Sequence, residues 1–440
     1  METKSQRMQT NPSTNIQVAS ETGRLRRVVV QPPGAALARM KPRNIEPGNE
    51  DYLLFDDLVH VPQAQREHAD LRTVLSVGSE VHVLETLVTE VLEQQAPRDQ
   101  VLAQVAERHQ LSAQVIRQLG ELDAPALTRS LIGGTLGGGL EDDELFGPIP
   151  NLIFTRDLAA VVGDIVVVGN ASKPSRRRES VLTWAVVNHH PMLAEAQVSA
   201  LAREVRGSAP LTLEGGDVLV ISSKLACIGA SERTSWAMIV RLAKELMGAG
   251  FERVLVVEMP KQRSSMHLDT VFTMTDADRC VIFQPLIEPD SRHQAEIIRL
   301  RKLDSTDETG QPALTVEHVG ADLLEAFAKE GHPLKPVFCG GGHPTHGVRE
   351  QWTDGANYVA LGPGVVVGYA RNEHTARELS SAGFRVVDSA SFLREFKRDF
   401  REDPDALFAS ERRYAVHIVG SELSRGRGGP RCLTLPLARD

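Results

Sequence analysis

The chain is poor in cysteine, and its cysteines are not grouped. Cys227, Cys280, Cys339 and Cys432 are the only four in 440 residues, and no C-x-x-C pair occurs. Neither a disulfide framework nor a zinc ribbon is expected, and a reducing cytoplasm is the expected compartment. No apolar run reaches membrane-spanning length. Residues 1–17 are polar, without the apolar centre of a signal peptide, and read as a disordered tail. A basic excess is missing as well: 49 Lys and Arg face 58 Asp and Glu, for a formal net charge of −9. Nucleic acid and membrane surfaces are therefore not expected as partners.

What remains is an ordinary soluble composition, 41% hydrophobic and 24% charged, long enough for one large domain with an insertion. One pattern recurs along it: an apolar run, a turn, a second apolar run, an amphipathic helix and a short apolar run. The clearest copy is LTLEGGDVLVI from Leu211, then KLACIGA, a helix from Ser231 through Met247, and FERVLVVEM. Others begin at Asn151, Met266 and Asn357. A looser first copy runs RLRRVVVQPPG, DYLLFDDLVHV, a helix near Gln63 to Val77, and VHVL. Paired β-rich runs followed by helices predict an α/β fold of five ββαβ units, packed around a common axis and enclosing a central site. Between the first and second units, Leu84, Leu87, Val88, Val91 and Leu92 share one helical face and similar spacing follows to Leu119. Residues 86–143 are read as a helical insertion, and 18–85 with 144–440 as the main domain.

Cys432 closes the loop SELSRGRGGPRC, with Arg425, Arg427 and Arg431 within seven residues. Cationic neighbours favour thiolate over thiol, and the glycines let the backbone approach a ligand closely. Such a loop suits a nucleophile under a lid, or a tail that binds phosphate. Carboxylates recur at matching places in the units: Asp157 in FTRD, Glu214 and Asp217 in EGGD, Asp269 in MHLD. On a strand, His267 and Asp269 would point to one face. His343 and His346 have metal-like spacing, but they sit in a glycine loop and further ligands are not evident. Cysteine, histidine and several acids suit attack on a planar, cationic carbon, because paired carboxylates grip a guanidinium in bidentate fashion. A protease would instead need oxyanion donors.

The motifs FTRD, LEGGD, MHLDTVF, REQW (Arg349–Trp352) and SELSRGRGGPRC resemble those of the arginine deiminases, in the guanidino-group-modifying superfamily. The likeness extends from SETGRLRRVVVQPPG and LLFDD to Cys432. It implies a five-bladed ββαβ propeller (pentein-like) with a helical insertion after the first blade. It also implies hydrolysis of L-arginine to L-citrulline and ammonia, no metal or organic cofactor, and a homodimer or homotetramer. By motif, Cys432 corresponds to the nucleophile, Asp157 and Asp269 to the guanidinium-binding acids, and His267 to the general acid/base with Glu214 beside it. Asn151, Arg176 and Arg233 match residues that hold the substrate's α-amino and α-carboxylate end, with Arg176 chosen over Arg177 by position. Phe154 matches an aromatic that packs on the substrate. Arg427, next to Gly426 in the loop, matches a residue that moves between open and occupied states. Met40 takes a lid position often held by Leu. An agmatine deiminase, an arginine dihydrolase giving ornithine and two ammonia, and a non-catalytic arginine-binding protein are the competing readings.

Overall fold

Five β-sheets carry the chain in the computed structural model, which describes residues 16–49, 52–199, 201, 211–307 and 310–440. Most of the expected N-terminal tail lies outside the described residues. Its last part does not: Gln17 and Val18 bridge Ala438 and Gly163.

Each sheet is built on an antiparallel pair joined by a parallel strand. In the second, Ala159–Val162 pairs antiparallel with Ile165–Val168 across a turn at Gly163, whose φ is +63°. All eight residues of that hairpin are buried, and every one is alanine, valine or isoleucine. The helix Arg177–His189 then returns the chain to the parallel strand Gln197–Val198. The third sheet follows the same course through Val218–Ser222, Leu225–Ala230 and Arg253–Glu258. Its helix, Trp236–Gly248, buries Met238, Ile239, Leu242, Ala243, Leu246 and Met247 on one face, each contributing roughly 1.5–3 kcal/mol where the side chain is large. This helix begins five residues later than the sequence pattern predicts, because Ser231 and Thr234 direct their hydroxyls to Asp217 instead.

Two further differences from the sequence reading concern strands. The run Tyr52–His60 forms no strand. The strand Leu25–Val30 pairs instead with Leu435–Arg439 on one side and Glu80–Val83 on the other, so the end of the chain completes the first unit. A long hairpin, Glu296–Thr306 with Pro312–Gly320, extends the third sheet.

Between the first and second sheets lie four helices: Leu84–Leu92, Gln95–His109, Ala113–Glu121 and Ala124–Gly133. Ser112 and Asp123 cap the last two by accepting N–H bonds, and Gly134 ends the fourth in the left-handed region. Their apolar faces join one cluster with the second and third sheets, so the insertion shares its core with the main domain.

One feature of this architecture positions the site. Each of the five sheets has a terminal strand reached through a short turn: Ala159–Val162, Val218–Ser222, Phe272–Asp276, Val359–Gly362 and Leu435–Arg439. Chemistry-bearing residues sit on all five turns.

Candidate active site

The acids and the histidine lie just before the strands. Asp157 is on the helical turn Thr155–Leu158, Glu214 precedes the turn Gly215–Asp217, and His267 precedes the turn Leu268–Thr270 that holds Asp269. The expectation that His267 and Asp269 share a strand face is therefore corrected. Asp217 accounts for the difference: its Oδ1 accepts the Leu268 N–H at 2.9 Å, while Oδ2 accepts Ser231 and Thr234 hydroxyls at 2.6 Å each. Its carboxylate ties two turns together and is not available to a ligand. Burial raises its pKa to about 6, against the pull of His267 and these hydrogen bonds.

Glycines allow the turns to meet. A Cβ at Gly215 would lie 2.2 Å from the Arg156 carbonyl oxygen, and one at Gly216 would lie 2.8 Å from the His267 ring. In the space so opened, His267 Nε2 is 2.9 Å from Glu214 Oε2, and Nδ1 is 3.6 Å from Asp157 Oδ1. Burial alone would push the His267 pKa down. Asp157, the Glu214 hydrogen bond, Asp217 and the Glu214 charge outweigh it and lift the value to about 9. The imidazole is thus charged near neutrality, while Arg233, Arg176 and His267 overcome burial and hold Glu214 below the ordinary carboxylate range.

Arg176 lies within this acid cluster. Its Nε bonds Glu179 at 2.9 Å, and Nη1 bonds Asp157 at 2.7 Å and Glu214 at 3.0 Å. Nη2 faces the Asn151 carbonyl at 3.5 Å. Its neighbour Arg177 lines a separate surface cavity. Arg233 approaches Glu214 at 3.5 Å. Asp157 Oδ1 and Arg233 Nε make no hydrogen bond; their contacts are ion pairs at 3.6 Å to His267 Nδ1 and at 3.8 Å to Glu232 Oε1. Buried polar groups are ordinarily paired, so these two mark where a ligand's donor and acceptor would complete the site. Asp157, Glu214 and His267 also bring one donor atom each within 4.8 Å of one another, as a metal site would. Arg176 already bridges two of the three, and a cation entering there would have to displace its guanidinium.

Cys432 is 3% exposed, with Sγ 3.7 Å from Asp269 Oδ2. Its amide N–H donates to Asn357 Oδ1 at 3.1 Å, and its carbonyl accepts the Arg156 N–H at 3.1 Å. The thiolate expected from the arginine-rich loop is not the resting state. Burial, Asp269, Asp157 and Asp354 push the thiol well above its ordinary pKa and outweigh Arg431, which opposes them. The loop's cations are otherwise engaged. Arg431 bonds Asp269 at 2.8 Å and Glu21 at 3.1 Å, and Arg425 pairs with Asp57 and Glu422 at the surface. Arg427, at φ +62°, lies over the Trp352 ring at 3.8 Å and donates to the Trp352 carbonyl at 2.6 Å.

Phe154, Phe55, Met40 and Leu423 form an apolar wall in one cluster with Cys432. Gly426 abuts both phenyl rings, and a Cβ at Gly428 would meet Phe154 at 2.2 Å. Asn151 donates to the Leu53 carbonyl at 2.7 Å, tying the Leu53–Phe55 segment to the FTRD turn. Cys432, Asp157, Asp269 and His267 are all less than 8% exposed, so a substrate reaches them only if this wall moves.

Three residues of the site escaped the sequence reading. Asn357 donates to the Asp269 carbonyl at 2.9 Å while accepting from Cys432. Gln351, inside REQW, donates to the carbonyls of Ser264 and Thr270 and fixes the turn that carries Asp269. Glu21 balances Arg431. Asn357 could have been found by its place, since it precedes a terminal strand as Asp157 and Asp269 do. His343 and His346 act structurally: His343 Nδ1 caps the helix Pro344–Trp352, and His346 stacks on His374 at 3.7 Å. The remaining cysteines, Cys227, Cys280 and Cys339, are free and buried.

Comparison with known proteins gives one family. Residues 51–131 and 139–439 match the family model described as arginine deiminase. An arginine deiminase of Listeria monocytogenes serotype 4b is 33% identical over 97% of this chain and 98% of its own length. That of Bacillus cytotoxicus is 33% identical over 96% and 98%. Among solved structures, an amidinotransferase of the saxitoxin biosynthetic pathway from Microseira wollei superposes with a TM-score of 0.50 at 12% identity. It covers 96% of this chain and 97% of its own, a likeness of fold.

Proposed function

The chain belongs to the arginine deiminase family, and from that premise we propose how its residues hydrolyse free L-arginine to L-citrulline and ammonia through a covalent intermediate on Cys432. The observation that carries this reading is Asp157 Oδ1, which makes no hydrogen bond. It is a buried acceptor 3.6 Å from His267 Nδ1, and its charge is felt at the Cys432 thiol. A guanidinium that donates to it, and to Asp269 on the other side, has its central carbon next to sulfur.

The cation itself then enables the chemistry. Acids hold the resting thiol protonated, and a guanidinium between Asp157 and Asp269 offsets that charge and lowers the thiol pKa. The proton leaves by way of Asp269, to which the thiol already donates. The thiolate attacks the central carbon, and imidazolium His267 gives its proton to the nitrogen held at Asp157. Ammonia departs, leaving a thiouronium-type adduct. Neutral His267 next takes a proton from water, the hydroxide adds to the same carbon, and collapse frees citrulline and the thiol. Glu214 is the positioning residue, holding His267 in register and favouring its charged form. Arg233, whose Nε makes no hydrogen bond, receives the α-carboxylate and α-amino end together with Arg176 and Asn151. Phe154 and Met40 cover the aliphatic chain, and Arg427 with Gly426 moves with the loop that admits it.

The five sheets are read as five propeller blades, a reading supported by the site residues on all five turns. A homodimer or homotetramer is the assembly expected, to be measured by light scattering. The deciding experiment is NMR product analysis with guanidino-labelled arginine. Citrulline with one ammonia per arginine is the expected result, and ornithine with two overturns it.

A further inference from the structure

A second cavity, of about 450 Å³, lies where the helical insertion meets the main domain. Arg39, Lys41, Arg43, Arg108, Arg177 and Arg178 line it, with Glu144 the only acid, in a chain whose net charge is −9. Concentrating cations in one cavity opposes the chain's overall charge balance, and like charges there repel one another. Arg108 shows this directly: burial and the neighbouring Arg177 both lower its pKa.

The wall is built: Glu144 pairs with Arg39 at 3.3 Å and with Lys41 at 3.1 Å, and the opposite side carries Arg108, Arg177 and Arg178. Arg178 is 3% exposed and bonds two carbonyls, Leu131 at 2.8 Å and Gly147 at 2.6 Å, together with His109 at 3.1 Å. Phe146 supports it, 4.1 Å from the guanidinium and stacked on His109 at 4.7 Å. No carboxylate bonds it, and burial lowers its pKa to about 9. Arg39 Nε is buried without a partner. Arg108 and Arg177 have no hydrogen-bond or ion-pair partner among the described residues. Leu53, Pro148 and Pro174 give the cavity an apolar side.

We propose that this cavity binds a small organic molecule bearing a phosphate or polyphosphate group, with the anion on Arg108, Arg177 and Arg178 and the organic part against Leu53, Pro148 and Pro174. Planar, multiply donating guanidinium groups match phosphate oxygens in bidentate fashion. The volume is that of a small-molecule site and exceeds what an inorganic ion needs. The site is separate from the acid cluster and does not depend on the deiminase reading.

The test uses calorimetric titration of the full chain with inorganic pyrophosphate, which needs no turnover. Saturable binding is expected, weakened at least tenfold in the double variant Arg108→Gln/Arg177→Gln while citrulline formation and the melting temperature stay unchanged. Arg108→Gln alone, expected to weaken binding severalfold, keeps the test open if the double variant folds poorly. Absence of binding overturns the proposal, as does equal affinity in the variants. Competition between pyrophosphate and arginine that survives the double substitution would place the anion at Arg176 and Arg233 and would also overturn it.

Discussion

Glu214→Gln keeps the shape of the side chain and removes its charge, which makes it the sharpest probe of the histidine. Lifting His267 from the ordinary 6.5 to about 9 corresponds to about 3 kcal/mol of preference for the imidazolium. Glu214 supplies both a hydrogen bond and a charge toward that preference. Its neutralisation also leaves Arg176, at 3.0 Å, and Arg233, at 3.5 Å, less balanced beside the ring. Burial then dominates, and the His267 pKa returns to 6.5 or lower. The proton donor for ammonia is about 90% present at pH 8 in the native enzyme and about 3% present in the variant. Under saturating arginine, kcat at pH 8 should fall about thirtyfold, and the deficit should shrink to less than about twofold at pH 6. The same interaction governs stability. A raised histidine pKa stabilises the fold fully below about pH 6.5, and the gain is lost as pH rises through about 9, so the native protein loses this contribution on alkalinisation and the variant has little to lose. An equal deficit in kcat at pH 6 and pH 8 would refute the reasoning and reduce Glu214 to a steric support.

Other expectations follow from the same geometry. Cys432→Ala should abolish citrulline formation and retain arginine binding in equilibrium dialysis; residual turnover would remove Cys432 as nucleophile. Iodoacetamide should modify the ligand-free enzyme slowly at pH 8, and Asp269→Asn should speed it at least tenfold, because Asp269 is the foremost charge raising the thiol pKa. Alkylation kinetics insensitive to Asp269 would contradict a resting thiol. Gly216→Ala places a methyl 2.8 Å from the His267 ring and should cost about 1–3 kcal/mol in urea unfolding, with loss of kcat exceeding any change in KM. A neutral effect on both would mean that the turn relaxes freely. Arg233→Gln should raise the dissociation constant of arginine at least tenfold and that of agmatine, which lacks the carboxylate, far less; equal effects on both would sever Arg233 from the carboxylate.

The acids were legible because they recur at matching places in a repeated pattern, His267 by its spacing to Asp269, and Cys432 by the glycine- and arginine-rich loop it closes. Their local geometry was not. Whether His267 and Asp269 lie on a strand or a helical turn is decided by the Asp217 carboxylate accepting the Leu268 N–H, a contact across 51 residues. Charge at Cys432 was misjudged for a related reason: the loop's arginines are near in sequence, but Asp269 and Glu21 neutralise Arg431 and Trp352 draws Arg427 aside. The third-sheet hairpin escaped because EIIRLRKLDST lacks a continuous apolar run and is exposed over its second half. Arg176 enters the acid cluster through its bonds to Asp157 and Glu214 while Arg177 faces a separate cavity, a distinction that position in the sequence does not carry.

The pairing of Leu25–Val30 with Leu435–Arg439 has a temporal meaning. An emerging chain presents the first of these strands about 400 residues before its partner exists, a wait of roughly 20 to 80 s at ordinary rates of synthesis. Cys432 enters only three residues ahead of the closing strand. The first strand therefore spends most of translation with one edge unpaired, and Cys432 is withheld until the last of the five turns is made. A ribosome that stalls before residue 435 releases a protein that lacks this strand pairing, and one that stalls before residue 432 releases a protein with no nucleophile. Incomplete chains thereby present an open sheet edge, a template for pairing with other chains, before they carry Cys432.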